Sequence, residues 1–211
     1  MKETSKTTAG LPKLSSNKIW MMSLGFLGVQ MAFTLQSSQM SRIFQTLGAD
    51  PNNLGWFFIL PPLAGLIVQP IIGSLSDRTW APRLGGRRLP YLILGTVVAA
   101  IVMLLLPNSG SFGFGYASMA ALVFGAITVA FLDLSSNVAM QPFKMMVGDM
   151  VNDDQKSYAY GIQSFLLNTG AVIAAIFPFL LTLFGVANTA SKGVIPNSVI
   201  WSFYIGAALL V

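Results

Sequence analysis

The sequence predicts an all-α membrane protein. Three observations carry the prediction. Hydrophobic residues make up 54% of the 211 and charged residues only 9%, whereas a soluble domain carries about a quarter charged residues. The few charges are clustered, which leaves uncharged stretches at 19–41, 51–76, 89–132, 157–191 and 193–211. Lys and Arg also fall unequally on alternate connections, as they do when consecutive helices cross a bilayer in opposite directions.

A spanning helix needs about 20 mostly apolar residues. Residues 1–18 are a polar tail rich in Ser, Thr and Lys. The first two uncharged stretches supply spans at 19–42 and 54–75. The third is long enough for two, at 90–106 and 115–141, because Pro107-Asn108-Ser109-Gly110-Ser111 is a turn signal between them. A fifth span is expected at 158–184. A sixth begins near 197 and reaches 211, an incomplete helix by length. With the N-terminus inside, the inner segments hold four lysines up to Lys18, four arginines at 78, 83, 87 and 88, and Lys144 and Lys156. The outer side holds Arg42 and Lys192, so 10 of the 12 basic residues face the cytoplasm. The tail and the connections at 76–89 and 145–157 are the expected cytoplasmic segments of a plasma (inner) membrane protein.

Composition also sets aside several function classes. The chain has no cysteine and no histidine, and its seven acids are Glu3 and six aspartates. That removes thiol nucleophiles, His-based triads and zinc sites built on Cys or His. Intramembrane hydrolysis needs a Ser–His pair, paired aspartates or a metal motif, so the chain does not read as an enzyme. Gly85-Gly86 lacks the Lys-Ser/Thr of a phosphate loop. No cofactor or metal is called for, and the net charge of +5 marks membrane sidedness rather than a nucleic-acid surface.

The polar residues inside the spans are the candidate site. In the first span Gln30, Thr34, Ser37, Ser38 and Ser41 share one helical face. Such a stripe faces either neighbouring helices or a water-filled cavity. In the fourth span Asp133, Asn137, Gln141 and Lys144 are spaced by 4, 4 and 3, within about 80° of arc. A carboxylate at that depth costs about 2.5–3.5 kcal/mol on insertion scales. Asp133 is therefore either a proton or substrate site or one partner of a structural ion pair, with Lys144 and Arg42 as the conceivable cations. Among the aspartates it is the one deep enough to exchange a proton inside the membrane. Gln69 and Asn168 are further candidate cavity liners, and Pro142 frees a backbone carbonyl.

The loop after the second span reads Gly73-Ser74-Leu75-Ser76-Asp77-Arg78, continues through Gly85-Gly86-Arg87-Arg88, and ends at Pro90. It resembles the signature loop of the major facilitator superfamily, Gly-x-x-x-Asp-Arg…Gly-Arg-Arg. The stretch Leu66-Ile67-Val68-Gln69-Pro70 leading into that motif, and Asp133-x-x-x-Asn137-x-x-x-x-Pro142-x-Lys144-x-x-x-x-Asp149, are similar to the sucrose and disaccharide proton symporters of that superfamily.

The resemblance implies the N-terminal six-helix half of that fold, with its sixth helix incomplete, and a second six-helix half downstream as partner. It implies import of a sugar, a disaccharide or glycoside such as sucrose or maltose, by proton symport with alternating access. A non-transporting sugar sensor and a sodium-coupled glycoside carrier stay open on the same fold. By resemblance, Asp133 takes proton coupling and sugar binding. Asn137, Gln30, Gln141, Lys144 and Asn168 complete the candidate sugar site, and Gly73, Asp77, Arg78, Arg87, Arg88 and Asp149 form the cytoplasmic gate. Lys144 stands where many relatives have arginine and cannot offer the same planar fork.

Overall fold

The computed structural model describes residues 11–50, 55–84, 86–109, 112–114 and 116–211, without the side chains of 56–58, 60, 61 and 64. Among the described residues seven α-helices follow in order: α1 (Ser16–Ser23), α2 (Gly25–Leu47), α3 (Gly55–Arg78), α4 (Leu89–Leu105), α5 (Met119–Met150), α6 (Asp153–Leu183) and α7 (Asn197–Leu210). The first two are one rod interrupted at Leu24, whose N–H still reaches Trp20 O at 3.0 Å. Four helical rods are long and apolar enough to cross a membrane: Ser16–Leu47, Leu89–Asn108, Met119–Met150 and Asp153–Leu183. α3 adds 24 residues and α7 a shorter apolar helix of 14.

Two sequence expectations change here. The connection expected at 145–157 is helical apart from Val151 and Asn152, because α5 runs on through Met150 and α6 starts at Asp153. Pro142 does not end α5: it removes one backbone donor, and the turns on either side still propagate. Asn152 ends the junction by capping α6, its side chain accepting from Asp154 N at 3.0 Å. The tail expectation also ends too late. Helix begins at Ser16, and the segment before it lies along the start of α6. Leu14 N–H donates to Gln155 Oε1 at 2.9 Å, and Gln155 Nε2 donates back to Leu14 O at 2.9 Å. Residues 1–10 of the tail lie outside the described residues.

α2 is the central element, packed against α5, α6 and α7, while α3 and α4 lean on α5. The buried core is Phe26, Met31, Leu35, Phe44, Met103, Leu132 and Phe203, drawn from α2, α4, α5 and α7. Close approach is made by specific glycines rather than by a general stripe of small residues. A Cβ on Gly95 of α4 would stand 2.6 Å from Ala139 N and 2.7 Å from Ser135 O of α5. One on Gly28 of α2 would stand 2.7 Å from Leu209 O of α7. Gly73 and Gly161 meet nothing within 4 Å among the described residues.

Candidate functional site

A cavity of about 630 Å³ lies between α2, α3 and α5, a size in the range of about 300–1,000 Å³ typical of small-molecule sites. The α2 wall supplies Gln30, Phe33, Thr34, Gln36, Ser37 and Met40. α3 supplies Pro62, Gly65, Leu66 and Gln69, and α5 supplies Asp133 and Asn137. One wall is therefore polar and hydroxyl-bearing, and another is mostly apolar with a single amide.

Asp133 is 4% exposed, and no cation pairs with it among the described residues. Neither Lys144 nor Arg42, the two conceivable partners, is paired with it. Lys144 is exposed on α5. Arg42 donates from Nη1 to Asn188 Oδ1 at 2.8 Å and from Nη2 to Asn188 O. Ser198 Oγ reaches the same Asn188 Oδ1 at 2.6 Å, so Arg42 ties the C-terminal part of α2 to the loop before α7.

Amides hold the Asp133 carboxylate instead. Asn137 Nδ2 donates to Asp133 Oδ2 at 2.9 Å and to the Asp133 backbone carbonyl at 2.9 Å. Gln36 hydrogen-bonds the carboxylate from α2. Behind Asn137 the chain continues: Gln69 Nε2 donates to Asn137 Oδ1 at 2.6 Å, and Gln141 Nε2 donates to Gln69 Oε1 at 2.7 Å. The 4-residue spacing of Asp133, Asn137 and Gln141 puts all three on the α5 face that meets α3. An ionised carboxylate fenced by neutral donors is solvated but not neutralised, so it stays available to a proton.

Of the candidate sugar ligands, Gln30, Asp133 and Asn137 line the cavity. Gln141 touches it only through Gln69, and Lys144 and Asn168 lie outside that lining. Asn168 Nδ2 is turned back to Ser164 O at 2.7 Å. On α2, Ser38 and Ser41 accept from Gln39 and Gln45 and leave the cavity to Thr34 and Ser37. Gln36 lies off the predicted stripe, two residues past Thr34. A glutamine 3% exposed in an apolar helix is the signal that a second polar contact exists on that side.

Of the residues expected at the gate, Asp77, Arg88 and Asp149 form a cluster at the other end of α3. Arg88 is the hub, with a side chain 12% exposed. Its Nη2 lies 2.7 Å from Asp77 Oδ1 and 3.0 Å from Asp149 Oδ2. Its Nη1 donates to Ser76 Oγ at 2.7 Å, and its Nε donates to Asp149 at 3.1 Å. Arg87 stacks over Trp80, 5.7 Å from the ring centre, and Arg78 is exposed. Gly86 takes a φ of +112°, which glycine tolerates, and its N–H closes the loop on Ala81 O at 3.0 Å.

The fold and the cavity define a class: a polytopic membrane helix bundle with an open, polar, carboxylate-bearing site at mid-helix depth. The family model of the Major Facilitator Superfamily matches residues 22–211. The chain belongs to that superfamily, and its helices make up a six-helix half of the family fold. Among curated proteins it is similar to a sucrose transport protein of Arabidopsis thaliana, 27% identical over 159 residues, 69% of this chain and 26% of the relative. A sucrose transport protein of Oryza sativa subsp. indica is 26% identical over 191 residues, 80% of this chain and 32% of the relative. The general alpha-glucoside permease of Schizosaccharomyces pombe is 26% identical over 176 residues, 81% of this chain and 32% of the relative. The chain spans about a third of the length of these curated relatives or less.

Proposed function

We propose that the chain forms one wall of a secondary transporter that imports a disaccharide or glycoside, such as sucrose or maltose, together with protons. The observation that carries this reading is the Asp133 carboxylate, buried at a cavity of small-molecule size and held by amides, with no cation paired to it among the described residues. The relatives' names, sucrose transport proteins and an alpha-glucoside permease, support the substrate class and point to a transporter rather than an enzyme. In this reading a second six-helix half closes the cavity, and rocking of the two halves exposes it to either side in turn.

Asp133 takes a proton when the site faces outward. The neutral acid removes the cost of carrying a buried charge through the closed state. A sugar hydroxyl donates to the carboxylate or accepts from the acid, so sugar and proton affinity are linked. Arg88, with Asp77 and Asp149, biases the inward gate. The cluster at 76–89 faces the cytoplasm of a plasma (inner) membrane protein, in line with the distribution of basic residues.

The test is uptake by the full natural polypeptide in proteoliposomes. Radiolabelled sucrose and maltose are offered under an imposed pH gradient, then under a sodium gradient. Accumulation that collapses with a protonophore is the expected result. Sugar binding without accumulation in either gradient identifies a sensor, and accumulation driven by sodium alone rejects the proton reading.

A further inference from the structure

The direction of the amide chain at the site is imposed from one end. The backbone carbonyl of Asp133 can only accept, and Asn137 Nδ2 lies 2.9 Å from it. Asn137 therefore turns its NH2 to Asp133 and its Oδ1 to α3. Only a donor satisfies that oxygen, so Gln69 meets it with Nε2 at 2.6 Å and leaves Oε1 for Gln141 Nε2 at 2.7 Å. Rotating any single amide would set like atoms against each other at these distances.

Gln69 thus commits its oxygen to one residue of α5 and its NH2 to another, four positions away. The α2 wall is different. Gln30 meets Thr34 only at 3.4 Å, and Ser37 returns its hydroxyl to Thr34 O at 3.2 Å. These are long contacts within one helix, readily exchanged for ligand hydroxyls.

We propose that Gln69 is the positioning residue of the site, holding Asn137 against Asp133 from α3, while the α2 wall of Gln30, Thr34 and Ser37 recognises the sugar hydroxyls. This rests on the reading of the cavity as a proton-coupled sugar site. Loss of Gln69 lets Asn137 turn and leaves the carboxylate with a mobile neighbour, so coupling suffers while the sugar contacts of the α2 wall remain.

The experiment compares sucrose counterflow, which needs no proton gradient, with pH-gradient-driven sucrose accumulation, both in proteoliposomes of the full transporter. Gln69→Met is expected to keep the counterflow KM within about twofold and to lower accumulation at least about tenfold. Gln30→Ala is expected to raise KM about tenfold and to keep accumulation at saturating sucrose. Gln141→Met, which removes only the far end of the chain, is expected to repeat the Gln69 pattern more weakly. A Gln69→Met carrier with raised KM and intact coupling makes Gln69 a sugar ligand and overturns the proposal. So does wild-type accumulation in that variant. If neither Gln69→Met nor Gln141→Met yields folded protein, the chain is a folding element and the proposal also fails. A wild-type carrier that moves no sucrose overturns the underlying reading of the site, a result distinct from all of these.

Discussion

Replacing Asp133 by asparagine exchanges one carboxylate oxygen for NH2 at constant shape. The site presents two amides to that side chain, Asn137 Nδ2 at 2.9 Å and Gln36 from α2. The new amide keeps its oxygen for Asn137 and turns its NH2 towards Gln36. Gln36 Oε1 is buried without a partner, so rotating the Gln36 amide offers an acceptor where a donor had been. The structural cost is then the difference between charge-assisted and neutral hydrogen bonds at two contacts, about 2 kcal/mol in all. Removing a carboxylate from membrane depth offsets it by about 2.5–3.5 kcal/mol. Asp133→Asn is therefore expected to fold with undiminished thermal stability.

The functional effect is large. A driving force of about 100 mV is worth about 2.3 kcal/mol per charge, or about 50-fold accumulation for one coupled proton. Without an exchangeable proton the variant only equilibrates its sugar, and the ratio falls to about one. The assay is steady-state sucrose accumulation in proteoliposomes, with counterflow measured on the same preparation. Retained counterflow with lost accumulation is the expected pattern. Full proton-driven accumulation by Asp133→Asn refutes the coupling role, and failure to fold refutes the reasoning about Gln36.

Three further outcomes follow from the packing and charge pattern. Arg88→Gln breaks two ion pairs whose carboxylate side chains are 53% and 56% exposed, worth about 0–1 kcal/mol each. It also removes a charged hydrogen bond to buried Ser76, worth about 1.5–3 kcal/mol. A net loss of about 2 kcal/mol, or about 4–8 °C in Tm by tryptophan fluorescence in detergent, is expected, and an unchanged Tm removes the cluster from the account of stability. Gly95→Val forces side-chain atoms against Ala139 N and Ser135 O, both backbone. The α4–α5 pair must part at a cost of about 1–3 kcal/mol, and a variant as stable as wild type rejects the close-contact geometry. Arg83→Cys, in a chain that has no cysteine, is expected to react with an impermeant maleimide only in inside-out vesicles, and labelling from the outside alone reverses the proposed topology.

Much of this architecture is written one-dimensionally. Membrane helices announce themselves because a bilayer demands long uncharged runs, and the uncharged stretches of this chain coincide with the bodies of its helices. The spacing of Asp133, Asn137 and Gln141 fixed a polar face on α5 before any packing was known, since residues four apart on a helix must share a side. The Arg-rich loop and the fourth-helix motif likewise pointed to the family.

What the sequence could not supply is who meets whom. Helix periodicity assigns a face but not a neighbour, so it left Asp133 with two conceivable cations and no reason to discard either. Only the packing of α2 and α3 against α5 brought Gln36 and Gln69 to that face and kept Arg42 at Asn188. Lys144 and Asn168 failed to reach the cavity for the same reason. The spacing of Lys144 was right, but the cavity opens between α2, α3 and α5 away from it and from Asn168 on α6. The continuation of α5 to Met150 was hidden because charged residues end a membrane span without ending a helix. Hydropathy reports where the bilayer stops, whereas backbone hydrogen bonding and the Asn152 cap decide where the helix does.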